Sequence, residues 1–239
     1  MTESEIFSLS LDIGQEIIRA GGEVHRAEDT IIRINRAYGR GCVVFALPTL
    51  IIAQSGSRTE IRRIEREETD LAELARLNAF SRKLCRNPYD EILITKNSGL
   101  SKGAEYPAVF IATFSFCIFF GGRFADAVLS GLIGMLLNAV SKSYRHRVLA
   151  MFSSNLIESF IAGALAHLPL LLGIYVMPDK IIIGTIMMLV PGLTVVSAIR
   201  DMMSGDLVAG IVELVNAVIS ALAIAFGIAG AIFIFNGNG

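Results

Sequence analysis

His25, Arg26, Glu28 and Asp29 crowd into a turn and a half of chain in the stretch GGEVHRAED, residues 21–29. On a helix, positions three and four apart face each other, so Glu28 or Asp29 could orient His25 as a base. The plain alternative is a solvated helix face, with Glu23 and its neighbours at the helix start and charges paired along it. The rest of a catalytic apparatus is missing from the polar part of the chain. It has no nucleophile motif, HExxH, P-loop or GxGxxG, so no catalytic residue is assigned. Cys42, Cys85 and Cys117 are scattered and form no CxxC pair. That pattern argues against a zinc site or a disulfide framework, and no metal or cofactor is expected.

A second set of polar residues lies where the chain is otherwise apolar: Asn138, Asn155, Glu158, His167, Asp201, Glu213 and Asn216. An acidic group at the centre of a membrane helix costs about 3 kcal/mol on insertion scales. Such groups need a partner, a water-filled cavity or a function. With the N-terminus inside, Glu158 lies roughly 9 Å and Glu213 roughly 10 Å from the cytoplasmic end of their helices, at 1.5 Å per residue. Arg200, Asp201, Asn138 and Asn155 belong to the same end, so the set could line a vestibule open to the cytoplasm, where burial would favour protonated carboxyls. The competing description is interfacial groups reaching water or pairing with Arg200. His167, near the outer end and followed by Pro169, belongs with that description. Pro191 and Gly192 sit midway in LVPGLTVVSAIRD. Proline removes a backbone donor there, and the result is either an interrupted helix of the kind that binds substrate in transporters or a simple kink.

These residues need elements to hold them. The chain has 239 residues, of which 53% are hydrophobic, and a mean hydropathy of +0.60. Charge concentrates in residues 1–100 and long apolar runs in 104–235. The chain therefore reads as an α+β domain at 1–103 and a transmembrane helical domain at 104–239, with the boundary near Lys102 and Tyr106. Apolar stretches near 106–122, 124–140, 152–173, 180–199 and 206–235 give an α-helical bundle of about five transmembrane helices. The last is long enough to tilt. Gly121, Gly122 and Arg123 separate the first two as a tight hairpin turn. Lys142, Arg145, Arg147 and Arg200 place those loops inside by the distribution of positive charge. The expected location is the cell (inner) membrane, multi-pass, with a cytoplasmic N-terminus and an outer C-terminus. The first 20 residues carry Glu3, Glu5, Asp12, Glu16 and Arg19 and no apolar run, so no cleaved signal peptide is expected. A formal net charge of -1 gives no case for a nucleic-acid partner.

In the polar domain, Ile6, Leu9, Ile13 and Ile17 mark one amphipathic helix, and Val24, Ala27, Ile31, Ile34 and Tyr38 a second. CVVFAL, LIIAQ and TEIRRIERE read as short strands. Leu71, Leu74, Leu77 and Leu84 mark a third helix, closed by Pro88. In the apolar domain, Ser130 with Gly134 and Gly227 with Ala231 have the spacing of small residues that let helices approach.

GGEVHRAED after one amphipathic helix, the strand–turn–strand region and PGLTVVSAIRDMMSGDLVAG together resemble the threonine/serine exporter (ThrE) family over about residues 5–235. The resemblance implies a cytoplasmic N-terminal domain followed by about five membrane helices. Because the chain has one set of helices, it is similar to the larger subunit of the split members, whose second set comes from a small separate membrane subunit. It implies proton-driven export of a small polar metabolite, an amino acid such as threonine or serine or a dicarboxylate such as succinate. Its motifs fall on Pro191, Gly192, Arg200, Asp201, Gly205 and Asp206, and on Gly22, His25, Arg26 and Glu28. Arg200 would meet a carboxylate of the substrate and Asp201 an amino group, while Glu158 or Glu213 carries the proton. Expected partners are the metabolite, membrane lipid, and a second small membrane subunit or further copies of the chain. The rival classes are a membrane-bound hydrolase-like enzyme using His25 and Glu28, and a scaffold subunit that positions a partner's pore.

Overall fold

A computed structural model describes residues 3–65, 69–86, 103–144 and 151–236. Pro88, Lys102, Arg145 and Arg147, named above, lie outside them. In order, the elements are α1 (Glu3–Arg19), α2 (Val24–Ala37), β1 (Val43–Leu47), β2 (Leu50–Ser55), β3 (Arg58–Arg63), α3 (Leu71–Arg86), α4 (Glu105–Phe119), α5 (Phe124–Tyr144), α6 (Met151–Leu171), α7 (Pro178–Ile186), α8 (Gly192–Met203) and α9 (Leu207–Asn236). The chain forms two compact units: Met1–Gly99 with Gly192–Val215, and Leu100–Pro191 with Asn216–Gly239.

The first unit is an α+β core. Its three strands form an antiparallel meander in the order β1-β2-β3, with Leu47 opposite Leu50 and Ser55 opposite Arg58 at the turns. Alternation along the strands turns Ala46, Ile51 and Ala53 inward and leaves Val43, Phe45 and Ile61 exposed. The inward residues join Phe7, Leu11, Ile17, Ile18, Val24, Ile31 and Ile34 from α1 and α2 in one cluster. Gly14 makes the helix pair close, since a Cβ there would stand 2.5 Å from Cδ1 of Ile31. Ala209, in the first turn of α9, belongs to the same cluster. That was not legible in the sequence, where everything past residue 104 reads as membrane.

The elements among the described residues of the second unit are helices. Among the described residues, three helices are long and apolar enough to cross a membrane: Phe124–Lys142, Phe152–Leu171 and Leu207–Phe235. Between 28% and 39% of each stretch is buried within the protein. The remainder turns side chains such as Leu132, Phe226 and Phe233 outward. The helices meet through small residues, as the spacing predicts. A Cβ at Gly134 would lie 2.7 Å from Thr113 on α4, and one at Gly227 would lie 2.0 Å from Ser159 on α6. Ala231 fills the space beside Gly163.

Hydropathy gives about five spans, whereas length and composition give three. The α4 helix is apolar but has 15 residues, short of the roughly 20 needed to cross. It stops because Gly121 and Gly122 turn back to the carbonyls of Ile118 and Cys117. The stretch 180–199 is not one helix. It comprises α7, of 9 residues, and α8, of 12 residues. Residues 187–191 between them leave the helical path. Pro191 cannot donate to the turn before it, which is the physical reason for the interruption.

Candidate functional site

The two sequence motifs meet at the start of α2. There Gly21 ends α1 in a left-handed conformation (φ +80), which a residue with a Cβ rarely adopts. Gly22 then donates its N–H back to Ile17 over 2.8 Å. A Cβ on Gly22 would meet both Ile17 and Leu74, so this glycine is held by packing as well as by the turn. Glu23 takes the N-cap position of α2 and makes no side-chain cap. The first amides of that helix therefore need an acceptor from elsewhere.

Asp201 supplies it from α8. The side chain is fully buried. Its Oδ2 accepts the N–H of Val24 at 3.3 Å and its Oδ1 that of His25 at 3.4 Å. A carboxylate at this end of a helix meets unsatisfied donors and the positive pole of the helix dipole together. Beside it, the Arg200 guanidinium pairs with Glu23. The partners are 177 positions apart in the chain.

At its C-terminal end α8 stops at Gly205, with φ +100. Asp206 folds back to donate its N–H to the Asp201 carbonyl at 2.9 Å. That tight corner brings the Asp206 carboxylate to Nδ1 of His25, at 3.1 Å. One helical turn after His25, Glu28 accepts the N–H of Ala46 on β1 at 2.5 Å. Burial pushes the Glu28 carboxyl above the usual carboxylate range; the Ala46 N–H works against this and the negative charge of Asp206 adds to it.

His25 therefore takes its partner from Asp206, whereas helical spacing pointed to Glu28 or Asp29. Asp29 pairs instead with Arg33 at 3.3 Å. Arg26 is exposed. Proximity in sequence could not reveal Asp206, which lies 181 positions from His25. The one local signal was its place directly before an apolar run, where an acidic residue commonly begins a helix.

The other predicted residues fall on α6, α8 and α9 and directly before α8. Pro191 and Gly192 mark the end of the interruption and the start of α8. Glu158 on α6 is 7% exposed and Glu213 on α9 is 0% exposed, while Asn216 faces outward. His167 is satisfied locally: Nδ1 lies 2.8 Å from the Gly163 carbonyl, and the ring stacks on Phe235. The sequence reading overlooked Asp126, fully buried in the first turn of α5. It accepts from Arg123 Nε at 3.1 Å and from the Met177 N–H at 3.0 Å, and so braces the α4–α5 turn.

Neither a curated protein nor a solved structure matches the chain. A family model described as "Putative threonine/serine exporter" matches residues 8–235. That span holds both motifs, the three apolar helices and the interrupted one, and the chain belongs to the threonine/serine exporter (ThrE) family.

Proposed function

We propose that this protein is a subunit of a secondary exporter that moves a small polar metabolite out of the cell, driven by the proton gradient. The substrate is an amino acid such as threonine or serine, or a dicarboxylate such as succinate. The observation that carries this reading is the burial of two carboxyl-bearing residues, Glu158 and Glu213, on helices otherwise apolar enough to span a bilayer. Acidic groups are retained in such surroundings at a cost, and proton movement is a use that repays it. Family membership and the interruption at 187–191 support the same reading, because interrupted helices present backbone groups to solutes in transporters.

Arg200 and Asp201 take a different role in this account from direct substrate contact. Glu23 and the first amides of α2 occupy them, so they tie the α2 start to α8, which follows directly on the interruption. The protein sits in the inner membrane with its N-terminus in the cytoplasm and its C-terminus outside. It works with a second small membrane subunit or with further copies of itself. The experiment is flux of labelled serine, threonine and succinate through proteoliposomes, with the chain alone and with a candidate small subunit. Gradient-dependent flux of one solute class is the expected result. Absence of flux in every arm, from well-folded protein, contradicts the proposal.

A further inference from the structure

We propose that His25, Glu28 and Asp206 bind a divalent transition-metal cation such as Zn²⁺ or Mn²⁺. Each offers one ligand atom, and the three atoms lie within 4.8 Å of one another. The 3.1 Å between His25 Nδ1 and Asp206 Oδ2 suits neighbouring positions around one ion. With metal–ligand bonds of about 2.1 Å, that edge is about 3.0 Å at a right angle and about 3.4 Å in a tetrahedron. Glu28 offers the third ligand atom within the same 4.8 Å.

The donor chemistry fits the same class of ion. One imidazole and two carboxylates match the charge of a divalent cation. The nitrogen favours zinc, iron or manganese over magnesium and calcium, which prefer all-oxygen surroundings. The ligands are also supported from behind. Glu28 is fixed by the Ala46 N–H, and Asp206 is fixed by its backbone bond to Asp201; such outer contacts hold metal ligands in orientation. Arg200, on α8, is engaged by Glu23. His25 is half exposed and Asp206 about a quarter exposed, so remaining coordination positions open to water or to a ligand carboxylate. An ion here would staple α2 to the corner between α8 and α9.

Nothing local in the sequence hints at this, because two ligands stand on α2 and the third lies 181 positions after His25. The inference does not rest on the transport reading, and its test needs no solute. Full-length protein in detergent is stripped with a chelator and titrated with Zn²⁺ by calorimetry, with Co²⁺ by visible absorption and with Mn²⁺ by electron paramagnetic resonance. About one equivalent per chain should bind, with ligand-field bands for Co²⁺ and a nitrogen coupling for Mn²⁺. H25A and D206N should each weaken binding roughly tenfold or more, while D29N, which alters the neighbouring carboxylate outside the set, leaves it unchanged. Binding that survives both substitutions, or no saturable binding up to millimolar metal, overturns the proposal in favour of a plain His25–Asp206 hydrogen bond. Should the variants not fold, the nitrogen coupling in the unaltered protein decides: its presence supports the site and its absence overturns it.

Discussion

The α1–α2–sheet core and the α5–α6–α7 bundle are held by opposite means. In the first, bulky side chains such as Phe7, Leu11, Ile17 and Ile31 are fully enclosed or nearly so, and water exclusion drives their packing. In the second, Ala162, Ala166 and Ser159 are enclosed while Leu168, Leu171 and Leu172 face outward. Lipid tails are as apolar as leucine, so the bundle draws its cohesion from close approach of small residues and from satisfied polar groups. Ser130 illustrates this, 3.2 Å from both the Thr113 carbonyl and the Thr185 hydroxyl. Each region is therefore fragile in its own place: the first at its large residues, the second at its smallest.

The largest effect should follow from filling a small site in the bundle. In Gly227→Leu the new Cβ would stand 2.4 Å from the Leu156 carbonyl oxygen and 2.9 Å from the Phe160 nitrogen, and backbone cannot yield as a side chain can. Loss of monodisperse protein on size-exclusion chromatography is expected, whereas Leu222→Ala on the outward face of the same helix should behave as wild type. Next comes a cavity in the α1–α2 core. Ile31→Ala should cost about 2–5 kcal/mol in denaturant unfolding, and a loss below 1 kcal/mol would mean this core is looser than its burial implies. The smallest of the three tests the contact that joins the motifs. Asp201→Asn keeps an oxygen acceptor but removes the charge at the α2 start, and should cost about 1 kcal/mol. Hydrogen exchange should then speed up at Val24 and His25 more than at the α5–α6 amides. Uniform change across both regions would show that Asp201 is not a local cap.

Much of the first region was legible because its residues repeat at the period of the elements they form. Ile6, Ile13 and Ile17 recur at helical spacing and are buried on one face of α1. The strand stretches CVVFAL, LIIAQ and TEIRRIERE were legible as short β-prone runs. In the apolar half, hydropathy found the long helices. Of the five apolar stretches, three form single helices long enough to cross; hydropathy does not register a helix stopping at Gly121, or a stretch divided between α7 and α8. The small-residue contacts were legible, since Gly227 and Ala231 fall one turn apart and both face α6. The candidate site was only half legible. GGEVHRAED stood out as an unusual cluster, but nothing local shows that Asp201 would cap its helix or that Asp206 would reach His25. Those contacts depend on where the corner after α8 lands, which is set by tertiary packing of Ala209 and its neighbours.

Proton-coupled export stands or falls on solute efflux from proteoliposomes under an imposed pH gradient, compared between the wild-type chain and E213Q in the same assembly. Gradient-driven efflux of a small amino acid or dicarboxylate is expected in the wild type and background efflux in E213Q, with equal amounts of folded protein. Equal gradient-driven efflux in the two would contradict a proton-carrying role for this buried carboxyl. Absence of efflux from both would contradict the exporter reading itself.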